Sequence, residues 1–304
     1  MNILTFDIGG TYIKYALMNE NNAFLEKAKV KTPQSSREEL IDTLAEVYSR
    51  YADISGIAIS MPGIIDKKNG YCSMGGALTY NNDFYLRDAL YAKCPVPIVI
   101  ENDAKCAAMA EASFGALSDV EDGFVLIFGT MIGGGYINNH QLIRGTHFSA
   151  GEVSYITASR DGYPYKEEVF GNRCGTPRLC AMYAEAKGLD PAAVNGVTVF
   201  TAVNEDDPDA CAVLEKYCHE IAIQIFNLQT VIDPQRFAIG GGISAQAVFP
   251  ETIQKELNKL YAACPYSVPH AEVVTCRFRN DANLVGALSC WLVENGNTET
   301  SDSF

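Results

Sequence analysis

The sequence predicts an α/β protein made of two related halves, and three observations lead there. Short apolar, β-branched runs suited to buried strands alternate with longer stretches of helical periodicity. A strand–glycine turn–strand unit at Phe6-Asp-Ile-Gly-Gly-Thr11 recurs at Phe128-Gly-Thr-Met-Ile-Gly-Gly-Gly135. The length of 304 residues is enough for two domains, each with its own core.

The elements follow in order. Residues 2–7 (NILTFD) form a buried strand, Gly9-Gly10-Thr11 a turn, and 12–18 (YIKYALM) an alternating return strand. Residues 36–51 carry Leu40, Ile41, Leu44, Val47 and Tyr48 at helical spacing, with Ser36 placed to cap. Residues 54–60 (ISGIAIS) are a strand ended by Met61-Pro62-Gly63, and 83–93 read as helix. Residues 96–101 (VPIVIE) are a strand that stops at Asn102-Asp103, and the alanine-rich run 104–114 is a helix.

The second half opens with a strand at 123–128, a glycine turn over 129–135 and a return strand from Tyr136. Residues 138–180 read as loop-rich. A long helix over 213–231 stops near Asp233-Pro234, then a strand at 236–239 runs into Gly240-Gly241-Gly242. A helix at 249–261, a strand at 272–276 and a closing helix at 282–293 complete the chain, with a polar tail behind.

Composition narrows the function classes. Hydrophobic residues are 48% and charged residues 20% of the chain, as in a globular enzyme. The formal net charge of -14 excludes non-specific nucleic-acid binding, which needs a basic surface. An anionic ligand then needs backbone donors, a lysine or a metal ion. The ten cysteines form no CxxC pair and sit in apolar stretches, so reduced, buried thiols are expected. With no basic N-terminal region and no apolar run near the ~20 residues that cross a bilayer, the expected location is the cytoplasm, away from membranes.

Three glycine turns carry the first chemical signal. Gly9 and Gly10 let backbone N–H groups approach a phosphate closely, and Thr11 adds a hydroxyl. Asp7 at the strand end can hold Mg2+ through water, and Lys14 lies within possible reach of phosphate. Gly129-Thr130 with Gly133 repeats this chemistry. Gly240-Gly241-Gly242 lies between strand and helix, where a helix N-terminus favours negative charge. A glycine-rich hairpin with a structural aspartate is the plain alternative for any one turn. Three turns after buried strands point to a nucleotide site.

Taken together, Phe6-Asp-Ile-Gly-Gly-Thr11, Met61-Pro-Gly63, Glu101-Asn-Asp-Ala104, Gly129-Thr130…Gly133-Gly-Gly135 and Ala238-Ile-Gly-Gly-Gly242 resemble the ROK family of repressors, open reading frames and sugar kinases. The resemblance implies an actin-like (ribonuclease H-like) two-lobed ATPase fold, with ATP between the lobes and sugar in the cleft. It implies lobes of 1–115 with 282–304 and of 116–281, Mg-ATP as cofactor, a small-molecule sugar as partner, and a homodimer.

Glu101-Asn102-Asp103-Ala104 follows a strand and opens a helix, where α/β sheets place ligands. An aspartate there can take the proton of a sugar hydroxyl as it attacks the γ-phosphate, or can simply cap the helix. By the resemblance Asp103 falls on the general base and Asn102 on a sugar ligand. Gly151-Glu152 resembles the start of the substrate motif Gly-Glu-x-Gly-His, which makes Glu152 a sugar contact; a solvated loop glutamate is the alternative. Gly63 would let backbone approach the sugar. Asn81 and Asn82 either contact sugar or form a turn.

Two departures matter. The motif's histidine is missing, with Ser154-Tyr155 in its place. The family's zinc pattern is degraded around Asn172-Arg-Cys174-Gly-Thr-Pro-Arg-Leu-Cys180, together with the glutamate at its end, so no zinc is expected. By the resemblance, the lost histidine and glutamate face the anomeric end of the sugar. Their absence opens that end to a substituent, as in β-glucoside kinases, which transfer phosphate to the 6-hydroxyl of the non-reducing glucose. Tyr155, Tyr163 and Tyr165 are candidates to stack on a second ring. Glucokinase, fructokinase or N-acetylmannosamine kinase activity is the first alternative, and a non-catalytic sugar sensor the second. A repressor is not expected, because the first glycine-turn strand starts at Asn2.

Overall fold

A computed structural model describes residues 1–157 and 165–296. The chain divides into two compact units. Of the described residues, the first comprises 1–113, 144–150 and 280–296; the second comprises 114–143, 151–157 and 165–279.

In the first unit, β1 (Asn2–Ile8), β2 (Tyr12–Asn19) and β3 (Phe24–Lys31) are followed by α1 (Arg37–Tyr48) and β4 (Gly56–Met61). A small sheet of β5 (Ile64–Asp66), β6 (Tyr71–Met74) and β7 (Phe84–Tyr85) precedes α2 (Leu86–Tyr91), β8 (Ile98–Asn102) and α3 (Asp103–Phe114). The main sheet runs β3-β2-β1-β4-β8. β2 is antiparallel to β1 and β3, whereas β1, β4 and β8 are parallel. Ser36 caps α1 by accepting the Glu39 N–H at 3.2 Å, and the helix buries Leu40, Ile41, Leu44 and Val47. Against them lie Leu4, Phe6, Ile57 and Ile59 of the sheet, each fully buried and each contributing about 1.5–3 kcal/mol.

The second unit contains β9 (Gly123–Phe128), β10 (Ile132–Asn138), β11 (Gln141–Ile143), α4 (Phe170–Cys174), α5 (Thr176–Lys187) and α6 (Gly196–Asn204). It continues with α7 (Pro208–Ile232), β12 (Arg236–Gly241), α8 (Val248–Ala263) and β13 (Glu272–Thr275). Its sheet runs β11-β10-β9-β12-β13, again two antiparallel pairings and then two parallel ones. The repeat visible in the glycine turns is therefore a repeat of sheet topology. α7 starts with Asp207 accepting the N–H groups of Asp209 and Ala210, both at 3.0 Å, and stops at Asp233 in a left-handed conformation. Its Tyr217, with Phe128, Phe200 and Phe249, forms an aromatic core.

The last helix, α9 (Ala282–Asn295), belongs to the first unit. A Cβ on its Gly286 would lie 1.7 Å from the Cys106 carbonyl oxygen of α3, so only glycine permits this crossing. Trp291 is 3% exposed and donates to the Pro97 carbonyl at 3.3 Å.

Several expectations need correction. The stretch 138–180, read as loop-rich, also holds β11, α4 and the start of α5. The expected helix over 83–93 is a short strand followed by the six residues of α2, because Phe84 and Tyr85 pair with Cys72 and Tyr71 of β6. The turn read over 129–135 covers only 129–131, since Gly133, Gly134 and Gly135 pair with β9 as part of β10. Likewise Gly240 and Gly241 end β12, and a 3-10 turn over Gly242–Ala245 separates them from α8. Residues 144–150, assigned from sequence to the second lobe, lie in the first unit.

Candidate active site

The first unit presents the carboxyl ends of three parallel strands in one row. Register pairs Asp7 of β1 with Ser60 of β4, and Ser60 with Glu101 of β8. This is the edge where parallel sheets take ligands. One residue beyond Glu101, the strand becomes helix α3. Asn102 caps it: its Oδ1 accepts the Lys105 N–H at 3.1 Å, while its Nδ2 donates to the Gly63 carbonyl at 2.9 Å. Asn102 keeps a second amide N–H for another acceptor. Asp103 is thus not the cap. It sits partly exposed in the first helical turn, with Oδ1 accepting its neighbour Ala104's N–H at 2.8 Å.

Gly63 adopts a φ of 110°, and a Cβ there would lie 1.8 Å from the Met74 carbonyl oxygen. Its close approach to β6 presents its own carbonyl to Asn102. Asn82 is exposed and uses its Oδ1 to accept the Gly75 N–H at 2.7 Å, a bond that closes the turn. Asn81 is fully buried, and neither amide atom finds a hydrogen-bond partner among the described residues. An amide left so is costly unless water or a ligand reaches it.

Glu101 is 1% exposed. One carboxylate oxygen accepts the Asn102 N–H at 2.9 Å and the other accepts Arg144 Nε at 2.6 Å. Burial disfavours the Arg144 charge, but the Glu101 carboxylate outweighs it and raises the guanidinium pKa. Glu101 belongs to a motif legible in the sequence, whereas Arg144, one arginine in a loop, carries no local signal.

The turn after β1 holds Gly9, Gly10 and Thr11, with Gly10 and Thr11 exposed. Among the described residues a Cβ on Gly10 would approach nothing closer than Ala77 at 3.8 Å, so its outer face is open. Asp7, 7% exposed, accepts Lys14 Nζ at 3.1 Å on one oxygen and Asn283 Nδ2 at 2.9 Å on the other. Lys14 also donates to the Asn280 carbonyl at 3.4 Å. It is thereby engaged with the aspartate of its own hairpin and with the start of α9.

The second unit repeats the turn at Gly129-Thr130-Met131, where the Gly129 N–H donates to Met131 at 2.9 Å and Thr130 is exposed. Helix α5 starts against this turn, because the Thr176 N–H donates to the Gly129 carbonyl at 2.8 Å. The helix N-terminus beside this turn is therefore that of α5. A cavity of about 600 Å³ adjoins it, lined by Thr130, Thr176, Pro177, Cys180, Val194 and Asn195 among others. Sequence reading missed it, because its walls come from segments far apart in the chain.

Gly133 lies in β10 opposite Ile127. Beside it, Gly134 lets Gly151 approach: a Cβ on Gly134 would lie 2.5 Å from the Gly151 carbonyl oxygen. Glu152 follows, partly exposed. Gly241, at a φ of 95°, packs with its would-be Cβ 2.0 Å from the Phe128 carbonyl oxygen, whereas a Cβ on Gly242 would meet nothing within 4 Å among the described residues. Gly240 is walled by Ile127 and Cys276. Gly242 is the open member of the run.

The positions that depart from the family motif are also defined. Ser154 is buried, with its hydroxyl accepting the Ile132 N–H at 2.9 Å and donating to the Ile132 carbonyl at 2.7 Å. Tyr155 is 59% and Tyr165 54% exposed, and Tyr163 lies outside the described residues. Asn172 donates to the Lys166 carbonyl, and Cys174 and Cys180 lie within the hydrophobic core. Burial pushes the Cys174 thiol far above its usual range.

Comparison with known proteins places the whole chain in a family. The chain is similar to the β-glucoside kinase of Listeria monocytogenes, 29% identical over 300 residues, covering 98% of this chain and all of that one. It is similar to the β-glucoside kinase of Klebsiella pneumoniae, 30% identical over 289 residues and 95% of each chain. Among solved structures, a ROK family protein of Streptococcus pneumoniae in complex with sucrose superposes with a TM-score of 0.87 at 29% identity, over 97% of this chain and 99% of that one. Residues 3–294 match the ROK family, and the chain belongs to it.

Proposed function

We propose that the protein is an ATP-dependent sugar kinase, with the 6-hydroxyl of the non-reducing glucose of a β-glucoside or disaccharide as acceptor. The observation that carries this reading is the division of labour at the β8–α3 junction. Asn102 caps the helix, and Asp103 is left partly exposed at the carboxyl edge of the parallel strands. Asp103 accepts the proton of the sugar hydroxyl, the freed oxygen forms a bond to the γ-phosphorus, and the bond to the ADP oxygen breaks. The remaining N–H of Asn102 and the Glu152 carboxylate are assigned to sugar hydroxyls, and Gly63 lets backbone come close.

The exposed turns Gly9–Thr11 and Gly129–Thr130 are assigned to phosphate, with Gly242 as a third open backbone position. The cavity beside Thr130 is assigned to the adenine, because its walls combine apolar Pro177 and Val194 with the polar Thr176 and Asn195. Mg2+ would neutralise charge on the phosphate oxygens. Asp7 fits it through water, since among the described residues each of its oxygens carries one hydrogen bond and keeps a further lone pair.

The β-glucoside preference rests on what stands in place of the motif's Gly-His. Ser154 spends its hydroxyl on the Ile132 backbone, and Tyr155 offers an exposed phenol in place of an imidazole. The likeness to two β-glucoside kinases supports the same preference. A homodimer and a cytoplasmic location belong to this reading through the family.

The test is a coupled ADP-release assay with Mg-ATP against cellobiose, gentiobiose, an aryl β-glucoside, glucose, fructose, mannose, N-acetylglucosamine and N-acetylmannosamine. Faster turnover on the β-glucosides supports the open anomeric end. Preference for a free hexose keeps the kinase and removes the account of Ser154-Tyr155. Silence on all acceptors favours a sugar sensor.

A further inference from the structure

The turn Gly9-Gly10-Thr11 is held from behind. The Thr32 hydroxyl donates to the Gly9 carbonyl at 2.6 Å, Gln34 Nε2 donates to the Gly10 carbonyl at 2.8 Å, and the Thr32 N–H donates to the Thr11 carbonyl at 3.1 Å. Gln34 uses its second amide proton on the Thr32 carbonyl at 3.0 Å, which fixes its own side chain. Three consecutive carbonyls are thus bound by two residues of the segment that follows β3.

In a planar trans peptide the carbonyl of one residue and the N–H of the next point in opposite directions. Holding the Gly9 carbonyl therefore aims the Gly10 N–H away from Thr32. Holding the Gly10 carbonyl likewise aims the Thr11 N–H away from Gln34. Neither N–H has a partner among the described residues. Successive outward N–H groups form an anion cradle, and withdrawing the carbonyls removes their repulsion of phosphate oxygens.

We propose that Thr32 and Gln34 are positioning residues for nucleotide phosphate: by clamping the carbonyls of Gly9, Gly10 and Thr11 they hold the Gly10 and Thr11 N–H groups toward it. This rests on the reading above that the turn receives phosphate. Thr32 is 5% exposed and Gln34 is exposed, so Gln34 in particular can be changed without opening the core.

The experiment measures Mg-AMPPNP binding by calorimetry, together with the KM for Mg-ATP, the KM for sugar and the thermal midpoint. Thr32→Val and Gln34→Leu are each expected to weaken Mg-AMPPNP about two- to ten-fold and to raise the KM for Mg-ATP equally. The KM for sugar stays constant. Gln34→Glu, which cannot donate and adds a like charge, loses more. Thr32→Ser, which keeps the hydroxyl, restores binding. If wild type binds Mg-AMPPNP and the variants bind equally well, the clamp is refuted while the nucleotide reading stands. A parallel loss of sugar affinity, nucleotide affinity and midpoint refutes it too, because that is the signature of loop packing alone. If wild type fails to bind Mg-AMPPNP, the nucleotide reading falls and the clamp falls with it.

Discussion

Arg144 reaches the buried carboxylate of Glu101 at 2.6 Å, and Glu101 in turn holds the backbone N–H of Asn102 at 2.9 Å. A loop residue is thereby tied to the junction that carries the proposed base. The pair is unequal in burial: the Glu101 side chain is 1% exposed and that of Arg144 24%. Removing the cation leaves a desolvated charge behind. Arg144→Met is expected to lower the unfolding free energy by about 3 kcal/mol, the lower end for a broken buried pair because Arg144 still sees water. Arg144→Met combined with Glu101→Gln should recover part of that loss. Urea unfolding of both variants measures it, and an additive double variant would show that the two side chains do not depend on each other.

Asp103→Asn keeps size and polarity while removing the proton acceptor. The helix is expected to survive, because the cap is Asn102. Turnover should fall about 10²–10⁴-fold with sugar binding nearly unchanged. Stopped-flow turnover and calorimetry on the same preparation check both halves. A wild-type kcat would remove Asp103 from the mechanism, and lost helicity would restore the capping role.

Two glycines should answer differently to a side chain. Among the described residues a Cβ on Gly10 meets nothing closer than Ala77 at 3.8 Å, so Gly10→Val should fold normally and raise the KM for Mg-ATP by blocking close approach. Gly241 sits at a φ of 95° with the Phe128 carbonyl oxygen 2.0 Å from a would-be Cβ. Gly241→Ala should cost stability first, about 1–3 kcal/mol from the backbone conformation alone. Thermal midpoints beside KM values separate the cases, and a stable Gly241→Ala with only a changed KM would contradict the geometry.

What the sequence made legible was local. Strand β1, its glycine turn, the β8–α3 junction and the repeat of the first turn all lie in contiguous residues whose types carry their own constraints. The Asn102–Lys105 cap was open to reading in principle, yet Asn-Asp at a strand end offers two candidate caps, and only hydrogen-bond geometry separates them. The clamp of Thr32 and Gln34 on residues 9–11, the Arg144–Glu101 pair and the cavity beside Thr130 join segments distant in sequence. No periodicity announces such contacts. The glycine run at 133–135 was misread as turn because glycine permits both a turn and a close backbone approach, and Gly151 against Gly134 makes it the latter.

The cysteines give a prediction on pH. All ten are free thiols, eight buried and two, Cys211 and Cys264, partly exposed. Burial pushes the Cys72 and Cys94 thiols from about 9.0 up to about 11. For an acid whose folded pKa is raised, the unfolded state releases its proton first as pH rises. The stabilising contribution is therefore complete below pH 9 and is lost progressively between pH 9 and 11. Unfolding midpoints in urea should fall across that window, and Cys72→Ala with Cys94→Ala should make the fall shallower, the other buried thiols such as Cys106 and Cys218 keeping the remainder. At pH 8 a thiol reagent should label Cys211 and Cys264 first and the rest only on denaturation. Rapid native labelling of Cys72 or Cys94 would mean that their surroundings open readily, and their share of the alkaline slope should then shrink.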